Sequence, residues 1–209
     1  MIEQIRWLGH GSIVIEGSPI LYINPWRIVR TAFHADAILV TSDSYDLCSS
    51  ADIEKLRGPA THLIGSEQVA AQVDNVTVLR AWQSVSVDRA SIKAIPIVRA
   101  KADGTTIPVD GSFGYVVSEN YYDIYYTGHT SIMPQMQYMH PDIAIIPVDQ
   151  RGGYTLDDAI ALVDTLRPRW VIPCNWGTTD YGASQVVAQE FRKRVEGVTE
   201  VVMPNNATR

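Results

Sequence analysis

At 209 residues with 46% apolar content, the chain has enough hydrophobic material for one well-buried core and too little for two, so residues 1–209 are expected to form a single domain. Its 17 Lys and Arg are scattered and outnumbered by 23 Asp and Glu, a net charge of −6 that argues against nucleic acid and anionic membranes as partners, since both need a dense cationic face. No apolar run approaches the ~18 residues of a membrane span, and Met1-Ile2-Glu3-Gln4 lacks the charged start and apolar stretch of a signal peptide, so a cytoplasmic location is the expectation.

In chain order, Ile5 to Leu8, Ser12 to Glu16 and Pro19 to Ile23 read as short strands divided by Gly9-His10-Gly11 and Gly17-Ser18, a meander with tight turns. Asp36 to Val40 is an apolar run rich in branched side chains and predicts a buried strand. The polar segment Thr41-Ser42-Asp43-Ser44-Tyr45-Asp46-Leu47 follows at the strand's exit, where ligands sit in open α/β sheets. Ser49-Ser50 opens a helix to about Arg57, closed by Gly58-Pro59, because a Ser hydroxyl satisfies a free N–H at the start and Gly-Pro cannot continue the helix. A short strand at His62 to Ile64 leads to Ser66 and a second helix. Val76 to Leu79, Ser84 to Val87 and Ile92 to Val98 predict strands, Gly104 to Pro108 a polar turn region, and Gly111 to Ser118 with Tyr122 to Thr127 a hairpin about Glu119-Asn120-Tyr121. Asp142 to Val148 is another buried strand, and Thr155, with Asp158 three residues on, caps a helix to about Leu166. Trp170 to Trp176 reads as a strand, Gly182 to Val195 as an amphipathic helix and Thr199 to Met203 as a final strand.

Several of these frames resemble the metallo-β-lactamase superfamily. Trp7 to Trp26, W-L-G-H-G-S-I-V-I-E-G-S-P-I-L-Y-I-N-P-W, is similar to the opening of the branch that holds ascorbate-6-phosphate lactonase-like and uncharacterised metal-dependent hydrolases, with Asn24 where that branch usually has Asp. Thr41 to Leu47 stands in the frame of the superfamily's Ser/Thr-His-x-His-x-Asp-His loop. Ser42, Ser44 and Leu47 replace three histidines there, and Asp46 is retained. Ala94 to Arg99 is similar to Ala-Val-Pro-Ala-x-His, with Arg99 in the histidine position. Ile124 to Thr130 is similar to the strand ending in Gly-Asp-Thr, whose Asp bridges two metals, and here it is His129. Trp170 to Trp176 matches a strand ending in Pro-x-His, with Asn175 in place of the histidine. The resemblance runs from Trp7 to about Val195 and implies an α/β fold, a four-layer αββα sandwich with two mixed sheets face to face and helices outside.

It also implies a cleft lined by Ser42, Asp43, Ser44, Tyr45, Asp46, Arg99, His129 and Asn175, with Trp26 and Trp176 at its flanks. A zinc or iron site needs three or four nitrogen, sulfur or carboxylate ligands and an open position, so no metal is expected. If one binds, it is a weakly held zinc or manganese on Asp43, Asp46 and His129. A carboxylate buried without metal must be paired, hydrogen-bonded or protonated, and the resemblance supplies Arg99 as the expected partner of Asp46, with His129 and Asn175 completing the polar network. His129 and Asp46 are the catalytic candidates. His10, in its Gly-His-Gly turn, is expected to make a structural hydrogen bond, and a Ser42 or Ser44 nucleophile with His129 as base lacks any accompanying elbow or oxyanion motif. Cys48 and Cys174, far apart in sequence, are expected to be free, buried thiols.

Three functions are compatible with this reading. The first is a protein of this fold that has lost most metal ligands and binds a small, anionic ligand. The second is a hydrolase of ester, lactone or phosphodiester substrates with a mono-metal or metal-free mechanism. The third is a structural subunit that forms homo-oligomers.

Overall fold

The structure, a computed structural model, describes residues 1–29, 34–177 and 182–203. Six strands form the first sheet in chain order: β1 (Ile5–Gly9), β2 (Ser12–Glu16), β3 (Ile20–Ile23), β4 (Ala35–Leu39), β5 (Arg57–Gly65) and β6 (Val76–Val78). The meander β1–β2–β3 is antiparallel, and from β3 to β6 every pairing is parallel. Seven strands form the second sheet: β7 (Ser84–Val87), β8 (Ala90–Ala100), β9 (Thr106–Glu119), β10 (Tyr122–Tyr126), β11 (Ile143–Pro147), β12 (Trp170–Cys174) and β13 (Glu200–Val201). It repeats the plan, antiparallel from β7 to β10 and parallel from β10 to β13. This is the expected pair of mixed sheets.

The alternation of β4 shows how the layers are assigned. Ala37 and Leu39 point into the core between the sheets, beside Ile92, Tyr115 and Val117 of the second sheet, whereas Ile38 and Val40 point outward to Ile53 and Leu56 of α1 (Ser50–Leu56). From Ala37 onward the chain is covered on both faces, hence the continuous apolar run to Val40, while Asp36 at the start of the strand is exposed. The short α2 (Glu67–Ala70) buries Val69 in the same outer layer. On the second sheet, α3 (Leu156–Leu166) buries Ala159, Leu162, Val163 and Leu166, a stripe at helical spacing, and α4 (Gln185–Arg194) buries Ala188 and Phe191. Thr155 and Asp158 close a full capping box at the start of α3. Among the described residues, no helix is long and apolar enough to cross a membrane.

Two stretches differ from their sequence-based expectation. The helix α1 ends at Leu56 as expected, but the strand expected from His62 begins five residues earlier, at Arg57, where Arg57 pairs with Ala35 and His62 with Ala37. The residues between them bulge out of the ladder, which tolerates a proline without an N–H. Thr61 seals the bulge, its hydroxyl donating to the Ala35 carbonyl at 2.5 Å and accepting from the Gly58 N–H at 2.7 Å. The polar segment 104–108 is a turn only as far as Thr105. From Thr106 it joins the β8–β9 ladder, which places Arg99 opposite Ile107. The hairpin after β9 turns on Asn120 and Tyr121, both at positive φ (50° and 64°), the geometry of a two-residue turn matched to strand twist.

Truncating Leu162 to Ala in the fully buried α3 stripe should lower stability by about 2–5 kcal/mol. The same change at Val186, 76% exposed on α4, should stay within about 0.5 kcal/mol in denaturant midpoints.

Candidate functional site

The site gathers where β4, β10, β11 and β12 end and where the β1–β2 turn folds over them. Asn24, just past β3, holds this end together. Its backbone is left-handed (φ 46°), a conformation Asn tolerates better than most residues, and its carboxamide oxygen accepts from the N–H (2.9 Å) and hydroxyl (3.0 Å) of Thr41 at the exit of β4. Its Nδ2 donates across to the Tyr126 hydroxyl on β10 at 3.3 Å, and Tyr126 donates to the Gly11 carbonyl at 3.2 Å. An Asp here would offer no donor to Tyr126, which gives the amide its purpose in this chain.

His10 is the second fastening. Its carbonyl accepts from the Trp7 indole at 2.6 Å and from the Asn175 N–H at 2.9 Å, tying the β1–β2 turn to the end of β12, and Trp7 stacks on Trp176 with centroids 4.8 Å apart. The His10 ring turns toward the site and meets Asp46, Nε2 to Oδ2, at 2.7 Å. The expected structural hydrogen bond of His10 is thus made, and its acceptor is the retained motif carboxylate.

Asp46 is almost fully buried and is held by Arg151, not by Arg99. Two parallel hydrogen bonds run from the guanidinium, Nη1 to Oδ2 at 2.7 Å and Nη2 to Oδ1 at 2.6 Å. Burial works against ionisation of Asp46, but the hydrogen bonds from His10 and Arg151 and the charge of Arg151 outweigh it and keep the carboxyl well below the usual carboxylate range. The hydrogen bond to Asp46 in turn raises the Arg151 pKa against its own partial burial. Arg99 is drawn elsewhere. From β8 it donates Nε to the Gly152 carbonyl at 2.8 Å and Nη1 to the His129 carbonyl, bracing the loops after β10 and β11, while burial lowers its pKa against the pull of Asp158.

His129 pairs through Nε2 with Asp149 Oδ1 at 2.6 Å, and its ring stands edge-on to Tyr154 at 5.3 Å. Neither Ser42 nor Ser44 is its partner, so the serine-nucleophile arrangement does not form. Ser42 contacts Asp43 at 3.4 Å, Ser44 offers its carbonyl to the N–H groups of Leu47 and Cys48, and Tyr45 is 79% exposed and lines no buried cleft. Asn175 is fully buried at φ 60°, its side-chain amide making no hydrogen bond among the described residues. Cys48 lies under α1 and Cys174 beside Tyr126, both free and buried, and burial pushes both thiols up toward the protonated form.

Thus Asp46, Leu47 and Asn175 come together around His10 and Gly11, and Arg99 and His129 come together through the loops after β10 and β11. Arg151 joins the two groups. Arg151 and Asp149 are the functional candidates that motif matching missed. Their signal was the polar, glycine-rich segment Asp149-Gln150-Arg151-Gly152-Gly153 directly after a buried parallel strand, a position that favours ligands in such sheets.

A family model described as the beta-lactamase superfamily domain matches residues 4–175. The chain belongs to the metallo-β-lactamase superfamily. Relatives include a metal-dependent hydrolase of Thermococcus onnurineus, 27% identical with 96% of this chain and 95% of the relative covered, and one of Methanosphaerula palustris, 23% identical with 98% of each covered. Among solved structures, a proposed metal-dependent hydrolase from Parabacteroides distasonis superposes with a TM-score of 0.82 at 21% identity, covering 96% of this chain and 91% of that one. Igni18, a metallo hydrolase from Ignicoccus hospitalis, gives 0.76 at 18% identity, covering 97% and 95%.

The metal that these relatives' names imply does not fit the donors found here. Both oxygens of Asp46 are occupied by a guanidinium and an imidazole, His129 Nε2 is taken by Asp149, and Asp43 meets Ser42, so the expected fallback trio of Asp43, Asp46 and His129 is split among different partners. Among the described residues, no three His, Cys, Asp or Glu side chains converge on a common point.

Replacing Arg151 with Leu should lower stability by about 3 kcal/mol. That is the low end for a stranded buried charge, because Arg151 is 36% exposed and His10 remains in place. Arg99→Leu, which forfeits bonds to two carbonyls, should be milder, and so should the double change Asp46→Leu with Arg151→Leu. Because the folded pKa of Asp46 is depressed, its contribution is present above the ordinary carboxylate pKa of about 3.9 and is lost as pH falls below it. Urea denaturation from pH 7 to 3 should therefore show a shallower acid limb for Arg151→Leu than for the native chain.

Proposed function

We propose that the protein is a hydrolase of ester-type bonds, a carboxylic ester, lactone or phosphodiester, that works without a metal. The observation behind this is the His129–Asp149 pair at 2.6 Å, a buried imidazole oriented by a carboxylate at a strand exit of the superfamily's site. With Nε2 engaged by Asp149, Nδ1 is the ring nitrogen left to take a proton from a water as its oxygen attacks the acyl or phosphoryl centre. The leaving oxygen departs as the alcohol once it regains a proton. Arg151, two residues after Asp149 in the same loop, is partly exposed and keeps N–H groups beyond the two that Asp46 uses, and its charge would stabilise the negative charge that develops. The names of the relatives agree with a hydrolase and supply the reaction class. The substrate is a small molecule, consistent with a site built from loops at one end of two sheets.

A second reading, a module that binds a small anion without turning it over, is favoured by the engagement of both Asp46 oxygens within the fold, which commits the motif carboxylate to holding Arg151 and His10.

A panel of chromogenic carboxylic esters, lactones and phosphodiesters, assayed in the presence of EDTA, separates the two. Hydrolysis of at least one class is expected, unchanged by the chelator. His129→Ala should slow it by about 10²-fold or more, and Asp149→Asn should lower kcat with a smaller change in KM. Saturable binding of an anionic probe with no turnover by any class would favour the second reading.

A further inference from the structure

We infer that the Arg151 guanidinium is a built-in cation that takes the place of a metal opposite Asp46, so that this position accepts a planar guanidinium-type cation and not a divalent ion. Three observations point there. The fork of Arg151 meets both Asp46 oxygens at 2.6 and 2.7 Å, two parallel hydrogen bonds whose spacing matches the planar guanidinium. His10 adds a third contact at 2.7 Å, to Oδ2, so both carboxylate oxygens have partners within the chain. The space beneath is filled as well. A Cβ built on Gly11 would lie 3.0 Å from the Tyr126 hydroxyl, 3.1 Å from Leu47 Cδ2 and 3.2 Å from Asn175 Oδ1, so two residues standing in histidine positions pack tightly against a backbone that carries no side chain. Leu47 and Asn175 thus pack against the turn whose neighbour His10 meets Asp46, and neither supplies an imidazole there.

This inference stands apart from the ester chemistry proposed above, because it concerns which cation the fold requires and is read out by stability. Arg151→Ala removes the cation and leaves Asp46 and His10. Thermal unfolding of this variant should rise by roughly 3–5 °C in guanidinium chloride over the same concentration of sodium chloride. About 50 mM suffices, a concentration at which the denaturing effect of guanidinium is small. The native chain should show no such rise, and Asp46→Asn combined with Arg151→Ala should abolish it. Zinc or manganese should neither bind the native chain stoichiometrically nor raise its midpoint. A variant no more responsive to guanidinium than the native chain overturns the inference. So does native protein that takes up about one zinc or manganese per chain and melts higher for it, a measurement that decides the matter even where Arg151→Ala fails to fold. A silent ester panel, by contrast, leaves the inference intact and removes only the hydrolase reading.

Discussion

The buried carboxylate of Asp46 is the constraint around which this end of the molecule is arranged. A desolvated anion must be met by charge and hydrogen bonds or it protonates, and here the loop after β11 supplies Arg151 while the β1–β2 turn supplies His10. One anion thus joins a loop of the first sheet, a turn of the same sheet and a loop of the second. The apolar core between the sheets provides most of the stabilising burial, but it is non-directional and fixes no loop position. The ion pair and its imidazole do so at the site.

A second, neutral network supports the first. Asn24 clamps the end of β4 through Thr41 and reaches Tyr126, which reaches Gly11, whose neighbour His10 both receives the Asn175 N–H and contacts Asp46. Each member sits at a strand end that the parallel pairing of β3–β4 and of β10–β11–β12 brings to the same edge. The left-handed backbones of Asn24, His10 and Asn175 fall at these same points. Backbone of that kind at a non-glycine residue costs energy and persists where surrounding bonds over-determine it, and at each of the three a backbone or side-chain hydrogen bond to another element does so.

Much of the fold was legible in the sequence. Alternation and branched runs located the strands, and Thr155 with Asp158 marked the start of α3, because both signals are local. The bulge at Gly58–Thr61 and the extension of β9 back to Thr106 were not legible, since each depends on a partner strand that accepts the segment's hydrogen bonds. The site divides in the same way. The motif frames pointed to Asp46 and Asn175, which meet around His10 and Gly11, and desolvation called for a partner or a proton on Asp46. Which arginine answers it is a matter of three-dimensional reach. Arg99 occupies a histidine position of the motif yet is turned toward the carbonyls of His129 and Gly152, whereas Arg151 occupies no motif position and comes from the loop facing Asp46.

The contrast between the two arginines bears on how the site divides its work. Arg99 gives its hydrogen bonds to two backbone carbonyls and so fixes the loops that carry His129 and Arg151, a positioning role. Arg151 gives two of its bonds to Asp46 and keeps a partly exposed face, so its charge is both anchored and accessible. His129 is held by Asp149 through Nε2. In the hydrolysis proposed above, an anchored cation would serve to stabilise negative charge as it forms. There Asp46 would serve as the anchor, a task that a carboxylate with both oxygens engaged is well matched to.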